Sequence, residues 1–152
     1  MRNILKTLSV CFGLLMFLCS CGPETVNNAS HENKLPAIYP DYVQVTVPAS
    51  IAPLNFSLQD ETAELVDVTV CGARSGEIHV QGEWAKFEEE AWKQLLQQNA
   101  GDSLSVKVSA KIQGKWVSYD AFGIYISTDA LDYGVAYRKL APGYEVYSKM
   151  GI

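Results

Sequence analysis

From Ile38 onward, apolar and polar residues alternate in short runs. Val43, Val45 and Val47 are spaced by Gln44 and Thr46, and Leu54, Phe56 and Leu58 by Asn55 and Ser57. Val66, Val68 and Val70 repeat the pattern, as do Ile78 and Val80 on either side of His79. The longest run sets Leu104, Val106, Val108, Ala110 and Ile112 against Ser103, Ser105, Lys107, Ser109 and Lys111. A period of two, interrupted by Pro, Gly and Ser, predicts strands with one buried face. Gln113-Gly114-Lys115 predicts a hairpin turn into Trp116–Tyr119, and a break near Asp120 precedes Phe122–Ile126. Tyr133–Tyr137 and Val146-Tyr147, separated by the turn sequence Ala141-Pro142-Gly143, continue the series. His79 falls on the polar phase and reads as an exposed strand histidine.

One segment has a different period. Between Trp84 and Asn99, Phe87, Ala91, Trp92, Leu95 and Leu96 form a single stripe at helical spacing. Glu88, Glu89, Glu90, Lys93 and Gln97 occupy the other side. The acids fall early, where the helix dipole favours them, and Gly101 is placed to close the helix in a left-handed cap. Consecutive residues diverge around a helix, so the triple Glu reads as a solvated face rather than a metal or acid–base site. Roughly seven or eight strands with one helix predict a mainly β fold, α+β by count, over residues 38–152. The expected architecture is an immunoglobulin- or fibronectin-III-like two-layer β-sandwich with a helical crossover.

The N-terminus changes the picture from fold to address. Arg2 and Lys6 precede an apolar run, Leu8–Leu18, broken only by Ser9 and Gly13. It is too short for a membrane span of ~20 residues and fits the core of a secretory signal. Leu18-Cys19-Ser20-Cys21 then resembles the bacterial lipobox: an aliphatic residue, a free position, a small residue and the cysteine to be acylated. Leu18, Cys19 and Ser20 are thus the expected peptidase recognition residues, and Cys21 the lipidation site. Residues 1–20 form the expected signal peptide; residues 21–37, polar and without hydrophobic period, the lipidated cysteine and a flexible tether. The domain is placed in the cell envelope, lipid-anchored at the outer membrane, on its periplasmic or surface face. Cys71 alone then remains, so no internal disulfide is expected. It follows a strand-like run and reads as a buried small hydrophobe.

Charge and motifs narrow the function. The chain carries −5; loss of Arg2 and Lys6 with residues 1–20 leaves ten basic against seventeen acidic side chains, or −7. That balance argues against a nucleic-acid partner and gives no electrostatic pull toward anionic lipid. No GxSxG, HExxH or phosphate loop is present, so no catalytic residue is assigned and no cofactor or metal is expected. Asp129 and Asp132 are too few for calcium and read as turn residues, as does Asp120. Tryptophan and tyrosine side chains offer sugar-stacking platforms, with Trp116, Tyr119 and Tyr125 as the candidate ligand-facing aromatics.

Several segments resemble, in order and spacing, the N-terminal region of Gram-negative lipoproteins with a TolB-like β-propeller. They are Ile38–Tyr42, Ile51–Phe56, Trp92–Leu96, Gly114–Trp116, Asp129–Tyr133, Tyr137-Arg138 and Ala141–Tyr147. Many members carry a Cys-x-x-Cys-His haem motif beyond the matching region and are labelled as cytochrome c biosynthesis proteins. Neither that motif nor a propeller repeat occurs here, so haem attachment is not carried over, and the chain reads as truncated relative to the family. The resemblance implies a non-catalytic, lipid-anchored interaction module, with a protein or a separately encoded propeller as partner. A glycan-binding lipoprotein is the alternative.

Overall fold

The computed structural model describes residues 23–60 and 62–129. Cys21, its recognition residues Leu18, Cys19 and Ser20, and the expected elements between Ala130 and Ile152 lie outside them. In chain order the elements are β1 (Ser30–Glu32), β2 (Ile38–Tyr39), β3 (Thr46–Pro48), β4 (Ser57–Leu58), β5 (Ala63–Gly72), β6 (Glu77–Gly82), α1 (Glu89–Gln98), β7 (Ser103–Ile112), β8 (Lys115–Tyr119) and β9 (Phe122–Ser127).

Strand β7 organises the main sheet. One side pairs antiparallel with β5 along nearly its whole length. The other takes β8 on its second half and β9 on its first, so these two act as one strand interrupted at Asp120-Ala121. β1 and β3 extend the sheet by pairing in parallel with β8 and β9. β6 closes the opposite edge against β5. Because β6 and β7 both run antiparallel to β5, they are parallel to each other, and α1 is the crossover between them. The β7–β8 hairpin turns on Gln113 and Gly114, at φ 50° and 73°, the paired left-handed conformation that matches strand twist.

Alternation fixes which face is buried. Val66, Val68 and Val70 on β5, Leu104, Val106, Val108 and Ala110 on β7, and Phe122, Ile124 and Ile126 on β9 point to one side and are almost fully enclosed. Facing them is a smaller layer: the β2–β4 ribbon, an isolated bridge between Phe56 and Ala85, and the apolar stripe of α1. The domain is thus a two-layer β-sandwich with one helix, its layers unequal in size. Trp92, Leu95 and Leu96 supply the helix side of the core, and Phe87 stacks on Trp92 at 5.0 Å between ring centroids. Each large side chain so enclosed stabilises the fold by about 1.5–3 kcal/mol.

Some elements differ from their sequence pattern. The run Val43–Val47 narrows to Thr46–Pro48 because Gln44 adopts φ 57°, which breaks extension; its N–H still donates to Gly123 at 3.1 Å. In the run from Leu54, Phe56 bridges to Ala85, leaving only Ser57–Leu58 as ribbon. The helix starts at Glu89, not Trp84. Glu88 caps it, its carboxylate accepting from the N–H groups of Glu90 and Ala91 at 3.1 and 2.7 Å. Cys71, expected in the core, takes the opposite phase from Val70. It is only half-buried on the outer face of the sheet, its thiol 3.3 Å from Glu77.

Candidate functional site

The stretch expected as a flexible tether is docked from Glu24 onward. The Glu24 N–H donates to Oε1 of Gln81 at 2.6 Å, and Gln81 Nε2 donates back to the Glu24 carbonyl at 2.7 Å. The Glu24 carboxylate meets Lys111 Nζ at 2.7 and 2.8 Å. Six residues later the chain enters β1 and pairs with β8 from Ser30 to Glu32. His31 sets this end, with Nδ1 3.2 Å from the Ser118 hydroxyl and Nε2 3.0 Å from Asp120. Residues 24–32 therefore form a strap running from β6, over β7, to the far edge of β8. Backbone pairing and polar side-chain contacts hold it, and neither leaves an apolar period in the sequence.

Under the strap lies a polar patch on the outer face of the sheet. Asp67 is 9% exposed. It accepts from Gln81 Nε2 at 2.9 Å and lies 2.7 Å from His79 Nε2. Three side chains of β5 and β6 thus link a buried carboxylate to the strap backbone. None is placed as a nucleophile–base pair; the arrangement orients a chain segment. Among the described residues no three His, Cys, Asp or Glu side chains converge as a metal-ligand set, and no helix is long and apolar enough to cross a membrane.

The proposed aromatic trio does not share a surface. Trp116 pairs with Lys111 on the outer face. The strap is fixed on either side of it, by Glu24 at Lys111 and Ser30 beside Val117, and Trp116 is only 6% exposed. Tyr119, three residues on, has the opposite phase and joins the core cluster at 9% exposure. Tyr125 is open to solvent on β9. Trp116 is thus corrected from a ligand-facing to a covered position, and Tyr119 from an exposed platform to a mostly buried ring. Burial follows from the strap and from strand parity, and the strap was not legible in residue type. Trp84 and Tyr39 are the exposed large aromatics that alternation did not single out.

Tyr119 keeps one edge on a groove of about 420 Å³, lined also by Lys34, Leu35, Ala37, Leu58, Gln59, Asp60 and Thr62. The Lys34 ammonium stands 5.9 Å from the Tyr119 ring centroid, and hydrogen bonding and charge from Glu32 raise its pKa. Asp60 is held below the usual carboxylate range by the Thr62 hydroxyl and N–H, at 2.6 and 2.9 Å. Burial pushes the Tyr119 phenol up. At neutral pH the groove therefore offers an ammonium, a carboxylate, a neutral phenol and apolar walls. Such a lining can seat a small polar ligand.

Fold and strap together define a class: a small β-sandwich with a crossover helix and a docked N-terminal segment. No family model, curated protein or solved structure matches the chain.

Proposed function

We propose that this chain is an extracytoplasmic lipoprotein, anchored in the outer membrane through acylated Cys21, that serves as a non-catalytic interaction module. The observation that carries the reading is Leu18-Cys19-Ser20-Cys21 standing where the Leu8–Leu18 apolar run stops. Acyl chains on that sulfur anchor by burial, at about 0.8 kcal/mol per CH2, so the acidic domain needs no basic surface to stay at the membrane. The segment resemblance supports reading the domain as the N-terminal part of a sandwich-plus-propeller protein, with the propeller or another envelope protein as its partner. The edge strand β6, whose outer side no described segment pairs, supports docking of a partner by strand addition.

A glycan-binding role is the second reading, favoured by the groove beside Tyr119, where an aromatic edge meets Gln59, Asp60 and Lys34. Intact mass of detergent-extracted protein tests the main reading. The expected species begins at Cys21 and carries acyl mass; Cys21→Ala should retain residues 1–20 and lose the adduct. An unmodified, unprocessed parent chain would refute it.

A further inference from the structure

We propose that Trp84, with Lys86 beside it, is a membrane-contacting patch that seats the domain on the bilayer surface. The inference rests on lipidation of Cys21 and adds to it a defined orientation.

The case begins with the strap. Cys21 is three peptide links from Glu24, at most about 11 Å of chain. Glu24 is fixed to Gln81 and Lys111 by backbone and carboxylate bonds. Little slack therefore separates an acyl-bearing Cys21 from the sheet.

Strand direction then says which end of the sheet faces the lipid. β1 runs parallel to β8, away from the Gln113-Gly114 turn, so Glu24 marks the strap end nearer that turn. The start of β5 and the end of β6 lie at the same end: Ala63 pairs with Ile112, and Val66 with Gly82. Trp84 follows two residues after Gly82 and is 45% exposed. Tyr125, the exposed aromatic of β9, pairs with Ser103 at the opposite end of β7.

The chemistry of the patch suits an interface. An indole carries a broad apolar face and one N–H donor, the combination that settles at headgroup depth. Lys86 Nζ stands 5.8 Å from the Trp84 ring centroid, where an ammonium can reach lipid phosphate while the ring lies at the level of the glycerol and first acyl carbons. Glu83 next to Trp84 and the net acidity of the domain rule out attraction by bulk charge. Contact depends instead on the anchor holding the patch at the surface.

The test uses the full-length protein, purified from membranes and reconstituted in phosphatidylethanolamine–phosphatidylglycerol vesicles with brominated acyl chains. Trp92 and Trp116 are enclosed, so bromine should quench only the Trp84 emission. The expected result is quenching of the parent that is lost in Trp84→Phe, with both proteins acylated by intact mass. Acylated parent protein that shows no quenching, or equal quenching in Trp84→Phe, overturns the patch and leaves lipidation standing. A parent without acyl mass overturns both.

Discussion

Asn99 offers the sharpest test of what holds the distal end of the sandwich together. It is fully enclosed at the end of α1. Its Nδ2 donates to the carbonyls of Ser75 and Leu95, each at 2.8 Å, and its Oδ1 accepts from the Arg74 N–H at 2.9 Å. One side chain thus ties the β5–β6 turn to the helix C-terminus. Gly72 leaves room for it: a Cβ there would fall 2.3 Å from Asn99 Nδ2. Asn99→Ala removes three well-formed bonds, each contributing about 1 kcal/mol net, and leaves the buried Leu95 carbonyl without its side-chain donor. The expected loss is about 3 kcal/mol, a large share of the ~5–15 kcal/mol typical of a domain and on the order of 15 °C in Tm. Asn99→Asp separates bonding from shape. The introduced carboxylate has nearly the same size but faces two carbonyl oxygens with no donor, so its folded-state pKa rises above the unfolded value near ~3.9. Its destabilisation should therefore be greatest at neutral pH and shrink as pH falls toward about 4, where the protonated form regains a donor. Urea unfolding of both variants between pH 4 and 7.5 measures this. A loss below about 1 kcal/mol for Asn99→Ala, or a pH-independent deficit for Asn99→Asp, would refute the reasoning.

Two further outcomes follow from single contacts. Backbone N–H bonds from Ala91 and Glu90 hold the Glu88 carboxylate below the usual range, so its stabilisation is present above the unfolded pKa and fades as pH falls through the lower folded one. Glu88→Ala should melt below the parent at pH 7, and the gap should close on acidification toward pH 3 in thermal scans. Burial first, and the Glu77 contact second, push the Cys71 thiol up. Its reaction with a disulfide reagent at pH 8 should be slower than that of a free thiol and accelerate only at more alkaline pH; Glu77→Gln should shift that profile down. A rate equal to free cysteine at pH 8 would contradict the assigned environment.

Strand alternation made the core legible in advance because it is set by the side chains themselves. The residues Leu104, Val106, Val108 and Ala110 could face only one way, and α1 took its inward side from Trp92, Leu95 and Leu96. Features made by backbone pairing or by a distant partner were not legible. Ser30–Glu32 has no strand pattern, because β1 is specified by the exposed edge of β8 rather than by its own side chains. Residue type grouped Trp116 and Tyr119 as ligand-facing aromatics; strand parity turns Tyr119 inward, and the strap beside Trp116 comes from a segment some ninety residues earlier. Asn99 likewise looked like a helix terminus, and its second partner is the turn at Arg74 and Ser75.

The docked strap changes what anchoring can do. Were the sixteen peptide links from Cys21 to Ala37 all free, they would behave as a coil with a mean span of roughly 20–25 Å, letting an anchored domain tumble and present any face to a partner. With Glu24 fixed to the sheet, the proposed acylation of Cys21 would lie within about 11 Å of chain from it and would give the domain a lipid-facing end and a distal end. The distal end is built from the β5–β6 turn, the start of β7 and Tyr125, and it is the end that Asn99 clamps. Under the proposed anchoring, a partner would meet this turn and the flank of β6 first. The two ends make a separable demand on the protein. On the proposed reading, weakening the strap at Gln81 or Lys111 should loosen orientation and leave acylation of Cys21 intact, whereas loosening Asn99 should disturb the distal end without moving the anchor. A docking role for the sandwich therefore requires both sets of contacts, although they share no residue.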